Sequence, residues 1–167
     1  MSIKKEDLKG VFEVVIFFVI VMTILLVFFA VFKFPKTSGY SMQPSFDDKD
    51  LMLVINTRHA EVNDIIVANS TVLGEYVVKR VIGVGGDHIV IRDGILYRND
   101  IPIYEAYLAD QNWCMAADFT DIVVPDGCVF VMGDNRTMSM DSRSIGPIPV
   151  SDIYGRVICN LTKRDFY

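Results

Sequence analysis

The pattern of apolar and polar positions divides the chain near residue 33. Before that point the apolar residues show no period. Val14 to Phe32 is a run of 19 residues without a charge, and Thr23 is its only polar side chain. As a helix rising 1.5 Å per residue, such a run measures about 29 Å, the depth of a bilayer's hydrocarbon core. A core helix of a globular domain would carry a polar face at helical spacing, and none is present. A cleavable secretory segment has a shorter apolar stretch and ends in small residues, whereas this one ends Phe-Phe-Ala-Val-Phe-Lys. The pattern therefore predicts a tail at 1–10 and an uncleaved membrane anchor at 11–32.

Beyond Lys33 the period changes. A short linker at 33–38 contains Pro35, and the domain at 39–167 reads as short apolar runs bounded by turn residues. Strands are expected at Leu51–Ile55, Ile65–Ala68 and the valine-rich Glu75–Ile82. His88–Arg92 and Ile95–Arg98 flank Asp93-Gly94, a pair suited to a hairpin turn with positive φ. Ile122–Val124 and Cys128–Met132 read as a strand pair around Pro125-Asp126-Gly127, and Ile153–Leu161 as a terminal strand. The prolines of Gly146-Pro147-Ile148-Pro149 exclude a central strand there. Residues 104–120, with the only tryptophan, Trp113, have no clear period and are expected to be irregular. No β-α-β alternation is visible, so the fold class is mainly β, with antiparallel sheets tethered by one helix.

Composition narrows the function. The 167 residues carry a net charge of −5, and the first 33 hold four lysines against three acids, so the acidity lies in the domain. This argues against a nucleic-acid partner, which calls for a basic face. Lys4, Lys5 and Lys9 before the apolar run, against Lys33 and Lys36 after it, favour a cytoplasmic N-terminus by one residue. Cys114, Cys128 and Cys159 lack C-x-x-C spacing, which argues against a metal site. They leave open one disulfide plus a free thiol, or three small buried residues. The sequons at Asn69, Asn135 and Asn160 are weak motifs that chance explains. Gly83-Val84-Gly85-Gly86-Asp87 lacks the pattern of a phosphate loop and reads as a turn.

The candidate chemistry starts at Gly39-Tyr40-Ser41-Met42-Gln43-Pro44-Ser45. A serine hydroxyl is a weak nucleophile until a neighbouring base activates it. Tyr76-Val77-Val78-Lys79-Arg80-Val81-Ile82 supplies one. On a strand, Lys79 shares a face with Val77 and Val81, and desolvation there disfavours the ammonium and lowers its pKa toward that of a general base. The competing reading is an edge-strand lysine that reaches water. Arg80 points the opposite way and, never deprotonating, suits an ion pair. His59 and His88 are rival bases, but both fall in polar turn sequences. Gly133 to Gly146 is the densest polar stretch of the domain. It reads either as a solvated loop, with Asp134/Arg136 and Asp141/Arg143 as ion pairs, or as the support of a catalytic site.

Ser-Met-x-Pro after an N-terminal anchor, Lys-Arg-Val-Ile-Gly before a Gly-Asp turn, and Gly-Asp-Asn-Arg-x-x-Ser-x-Asp-Ser-Arg-x-x-Gly resemble, in this order, the bacterial type I signal peptidases. The resemblance covers about residues 34 to 158. It implies a β-rich peptidase domain on the outer face of the cell membrane, a cytoplasmic N-terminus, and removal of signal peptides from exported preproteins after a small-x-small sequence, without cofactor or metal. Its partners would be those signal peptides and the lipid bilayer. Ser41 matches the nucleophile and Lys79 the base of a Ser/Lys dyad. Ser139 matches the hydroxyl that orients the lysine. Asp141 and Arg143 match a supporting salt bridge, with Asp134 and Arg136 in the same loop. Met42, Val77 and Val78 match the walls of pockets for small side chains. Gly39 stands where some members carry a serine that binds the oxyanion, which leaves the backbone of Ser41 and Gly39 for that task, with Ser38 an open alternative. A relative dedicated to pilin or surface-protein processing, or an assembly chaperone of the same fold, is the alternative. The chaperone would have no need of both Ser41 and Lys79.

Overall fold

The computed structural model describes residues 5–108 and 120–167. Trp113, Cys114 and most of the segment expected to be irregular lie outside them. The apolar run folds as one helix, α1 (Lys5–Val31). From Phe12 to Val31 it is long and apolar enough to cross a membrane, and none of that stretch is buried against the rest of the chain.

Among the described residues twelve strands follow: β1 (Phe32–Lys33), β2 (Met52–Ile55), β3 (Ile65–Ser70), β4 (Glu75–Val84), β5 (His88–Arg92), β6 (Ile95–Arg98), β7 (Ile101–Pro102), β8 (Thr120–Val123), β9 (Cys128–Met132), β10 (Ile148–Pro149), β11 (Ile153–Asn160) and β12 (Asp165–Phe166). A short α-helical turn, α2 (Ser142–Ile145), lies between β9 and β10. The larger sheet runs β1-β2-β11-β3-β4-β9-β10, with β12 added to β11, and the smaller runs β7-β6-β5-β8. Every pairing is antiparallel. The β5–β6 hairpin turns on Asp93 (φ 49°) and Gly94 (φ 81°), the two positive values that suit the twist of the flanking strands. Proline confines β10 to a sheet edge, as its sequence requires.

Two expectations are corrected. Residues 33–38 are not a free linker. Phe32 and Lys33 pair with Ile55 and Val54, the Asn56 amide donates to the Val31 carbonyl at 2.8 Å, and Lys36 bridges Leu51. The Met52 amide then donates to Pro35 and the Thr37 amide to Asp50, each at 2.9 Å, so α1 passes into the sheet with its backbone already paired. Nor do the strands flanking Pro125-Asp126-Gly127 pair with each other, because β8 joins β5 and β9 joins β4. The amide of Val124 is spent on the carbonyl of Asp87, and its carbonyl on the amide of Gly86. The chain leaving β8 therefore follows the β4–β5 turn instead of folding back on itself.

Apolar alternation fills three clusters. Ile82, Ile89, Ile91, Leu96, Val124, Phe130 and Met132 pack in one that draws on both sheets. Ile66, Ala68, Val81, Val129 and Val131 form a second on the larger sheet. Met42, Phe46, Met52, Val54, Ile65, Val67 and Val157 form the third, under the segment that carries Ser41. β3 pairs with β4 from Glu75 to Arg80, whereas β9 begins to pair only at Arg80. One edge of β4 from Glu75 to Lys79 is thus unpaired in the sheet, and it faces the cleft described next.

Candidate active site

The site is built on the end of β4 and on the turn that follows residue 38. Lys79 is 4% exposed, and its Nζ donates to Ser41 Oγ at 2.7 Å. Burial holds the Lys79 ammonium below its ordinary value of 10.5, against the opposing pull of Asp141, Glu75 and Asp134. A hydroxyl at hydrogen-bonding distance from a desolvated amine is a nucleophile with its base in place. His59 and His88 are elsewhere. The first hydrogen-bonds Glu61, the second Asp121, and neither lines the cleft.

Ser41 opens onto a cleft of about 400 Å³. Met42, Val77 and Val78 line it beside the dyad, with Pro35 to Gly39 along one wall and Tyr76 and Tyr154 among the residues of the other. Met42 and Val77 are also core residues, so the pocket walls next to the hydroxyl are held by packing. Among the described residues, no group of His, Cys, Asp or Glu side chains is placed to hold a metal ion. Cys128 and Cys159 carry free thiols, and Cys114 lies outside the described residues.

The expected backbone donors behave differently from each other. The Gly39 amide donates to Asp48 Oδ1 at 3.0 Å, so it is already committed. The Ser41 amide makes no hydrogen bond among the described residues and is the donor free to meet an oxyanion. Gly39 (φ 83°) thus serves by its conformation, turning the chain ahead of the nucleophile, rather than as a donor.

The loop after β9 closes the site from below, through pairings only partly foreseen. Asp141 accepts from Arg143 Nε at 2.8 Å and from the Gly133 amide at 2.9 Å, and it caps α2. Asp134, however, pairs with Arg80 and not with Arg136. Arg80 Nε reaches Oδ1 at 2.8 Å and Nη2 reaches Oδ2 at 2.7 Å, a two-pronged contact with both side chains buried. Burial pushes the Arg80 guanidinium down, but the Asp134 carboxylate outweighs it and holds the pKa above the ordinary range. Arg136 turns instead to Glu105, also in a buried pair, while its Nε donates to the Gly133 carbonyl at 3.0 Å. Tyr107 hydrogen-bonds Glu105, and its ring lies 3.9 Å from the Arg80 guanidinium. Glu105 and Tyr107 are absent from the sequence-based site. They lie inside the segment without period, 104–120, and with Arg136 assigned to Asp134 only Arg80, an ion-pair candidate with no acid named for it, hinted that a carboxylate was missing.

Ser139 also departs from expectation. Its Oγ is buried without a hydrogen-bond partner, so it makes no hydrogen bond to Lys79. It packs against Gly133, where a Cβ would stand 2.3 Å from Ser139 Oγ and 2.4 Å from the Ser41 carbonyl oxygen. The Ser41 carbonyl is fixed from the same loop by the Asn135 amide at 3.0 Å. Gly133 is therefore the contact point between nucleophile turn and supporting loop. Gly133→Ala is expected to lower kcat at least ~10²-fold, since misplacing catalytic groups by ~1 Å costs that much. Steady-state cleavage, with thermal unfolding of the same variant to measure any loss of fold, checks this.

The sequence model of the family described as signal peptidase, peptidase S26 matches residues 11–161. Signal peptidase I of Bacillus caldolyticus is 36% identical over 143 residues, covering 76% of this chain and 78% of that protein. Signal peptidase I U of Bacillus subtilis (strain 168) is 35% identical over 162 residues, covering 89% and 84%. The chloroplastic thylakoidal processing peptidase 1 of Arabidopsis thaliana is 32% identical over 95% of this chain, which spans about half (48%) of that longer relative. A crystal structure of a signal peptidase I from Enterococcus faecalis V583 superposes with a TM-score of 0.51 at 32% identity, covering 59% of this chain and 96% of the other.

Proposed function

Since the chain belongs to the signal peptidase family, peptidase S26, we propose that it is a membrane-anchored serine endopeptidase that removes signal peptides from exported preproteins after a small-x-small sequence. The observation that carries this reading is the 2.7 Å contact between Ser41 Oγ and a buried Lys79 Nζ at the end of an apolar cleft. Lys79, neutral, takes the Ser41 proton as the oxygen attacks the scissile carbonyl. The Ser41 amide receives the developing oxyanion, and the leaving amine takes the proton from Lys79. A water activated by the same amine then hydrolyses the acyl-enzyme. Ser139 Oγ, buried without a partner and packed with the Ser41 carbonyl against Gly133, is the hydroxyl that would turn to hydrogen-bond the lysine as it changes protonation.

The free edge of β4 from Glu75 to Lys79 supports an extended substrate, which can add there as a strand with its carbonyl delivered to Ser41. Met42, Val77 and Val78 leave room for small side chains and exclude bulk by contact. Helix α1 confines enzyme and preprotein to one surface, with the N-terminus cytoplasmic and the domain outside.

The test is incubation of the full chain in detergent micelles with a preprotein, with mass spectrometry of the products. Cleavage after a small-x-small sequence is expected, and cleavage elsewhere, or none, would sink the reading. In the same assay kcat/KM should rise with pH through a lysine pKa below 10.5 and level off above it, because only the neutral amine is competent. The linked effect on stability has the same sign. Unfolded Lys79 regains its ordinary pKa and binds the proton that the folded state resists. The penalty is complete below the folded pKa and disappears as pH rises from there to 10.5. The thermal midpoint of the wild type should therefore gain on that of Lys79→Met over this window.

A further inference from the structure

The dyad and the small-side-chain pockets occupy only one end of the cleft. The other end is aromatic: Tyr76, 62% exposed, and Tyr154 stand edge to face with ring centroids 5.2 Å apart, and both line the cleft. Lys33 Nζ sits 3.6 Å from the centroid of the Tyr154 ring, and Lys33 is the first charge after the apolar run of α1. The aromatic end is therefore the end next to the helix's exit, and the dyad lies at the far end of the same β4 edge. A substrate whose apolar segment lies in lipid must enter past the tyrosines and run toward Ser41, parallel to β4. With strand rise of about 3.4 Å per residue, Tyr76 lies roughly 10 Å before Lys79. An extended peptide with the same rise then places the fourth residue before the scissile bond at the level of Tyr76.

We propose that Tyr76 and Tyr154 form a second specificity subsite, which takes a bulky apolar or aromatic side chain at the fourth residue before the cleaved bond. The proposal rests on the peptidase reading above. The chemistry of the wall selects its occupant. Two amphipathic rings, one already engaged by a cation, offer apolar faces to a side chain passing from lipid to water, whereas the pockets beside Ser41 admit only small groups. Glu75 at the same end disfavours an acidic residue there.

The experiment uses the full chain in detergent micelles and peptides with an identical small-x-small site that differ only at the fourth residue, carrying Phe, Leu, Gly or Asp. Wild-type kcat/KM should favour Phe and Leu over Gly by between about twofold and tenfold, the range of a single ring contact, with Asp poorest. Tyr76→Phe keeps the preference, and Tyr76→Ala moves the Phe-to-Gly ratio toward one. A wild-type ratio of one, or a ratio unchanged in Tyr76→Ala, overturns the subsite while leaving the peptidase reading intact. Failure of the wild type to cut any of the four peptides removes the peptidase reading and the subsite with it.

Discussion

Replacing Ser41 by alanine is expected to lower kcat by about 10⁴-fold or more, Lys79→Ala to do the same, and the double substitution to be no worse than either alone. In the proposed mechanism the two side chains act as one unit across the 2.7 Å contact. Without Lys79, the hydroxyl keeps its proton at neutral pH. Without Ser41, the amine has no oxygen to activate. KM should change little, because Met42, Val77 and Val78 keep their places in the cleft wall. Single-turnover cleavage of a preprotein, with binding measured separately, checks all three. Additive losses, or a Lys79→Ala enzyme that still cleaves at neutral pH, would remove the dyad from the account.

The largest structural effect is expected at Asp134. Its side chain is fully buried and that of Arg80 is 5% exposed, so Asp134→Ala leaves a guanidinium in the interior without its carboxylate. Removing one partner of such a pair costs about 3–5 kcal/mol, or roughly 6–20 °C in melting temperature for a chain of this length. Arg80 would retain the Asn63 carbonyl at 3.0 Å and the Tyr107 ring, both of which orient the guanidinium without neutralising it. Replacing both members, as in Arg80→Met with Asp134→Leu, should recover most of the loss, because the charges themselves are costly to bury. Thermal unfolding of the three variants in the same detergent tests the sign and the order. Cleavage should fall further than stability alone requires, since the supporting loop begins at Gly133 and holds the Ser41 carbonyl through Asn135.

Local pattern foretold most of the elements and the sides of β4. Alternation put Lys79 among valines and Arg80 on the opposite face, and Asp93-Gly94 marked the hairpin. What could not be read was partner choice over distance. Arg80 and Asp134 are 54 positions apart and meet because β9 joins β4 at Arg80, a pairing that no period of two can announce. The same holds for Glu105, which reaches Arg136 from the connection after β7. Strands β8 and β9 were each visible, but their division between two sheets depends on backbone bonds of Val124 that have no sequence signature. The stretch at 33–38 misled for a related reason. Pro35 and the polar residues after it marked a short linker and gave no sign of pairing, yet the carbonyl of proline remains an acceptor, and Met52 uses it.

The pairing of Phe32 with Ile55 and the hydrogen bond from the Asn56 amide to the Val31 carbonyl join the end of α1 directly to the sheet. A span longer than the local hydrocarbon depth accommodates by tilting, and were α1 to cross a bilayer as proposed, a tilt would tend to carry Ser41 with it. On the proposed reading, bilayer thickness would then become a setting of the enzyme, raising or lowering Ser41 relative to the headgroups and deciding which peptide bond of a preprotein it meets.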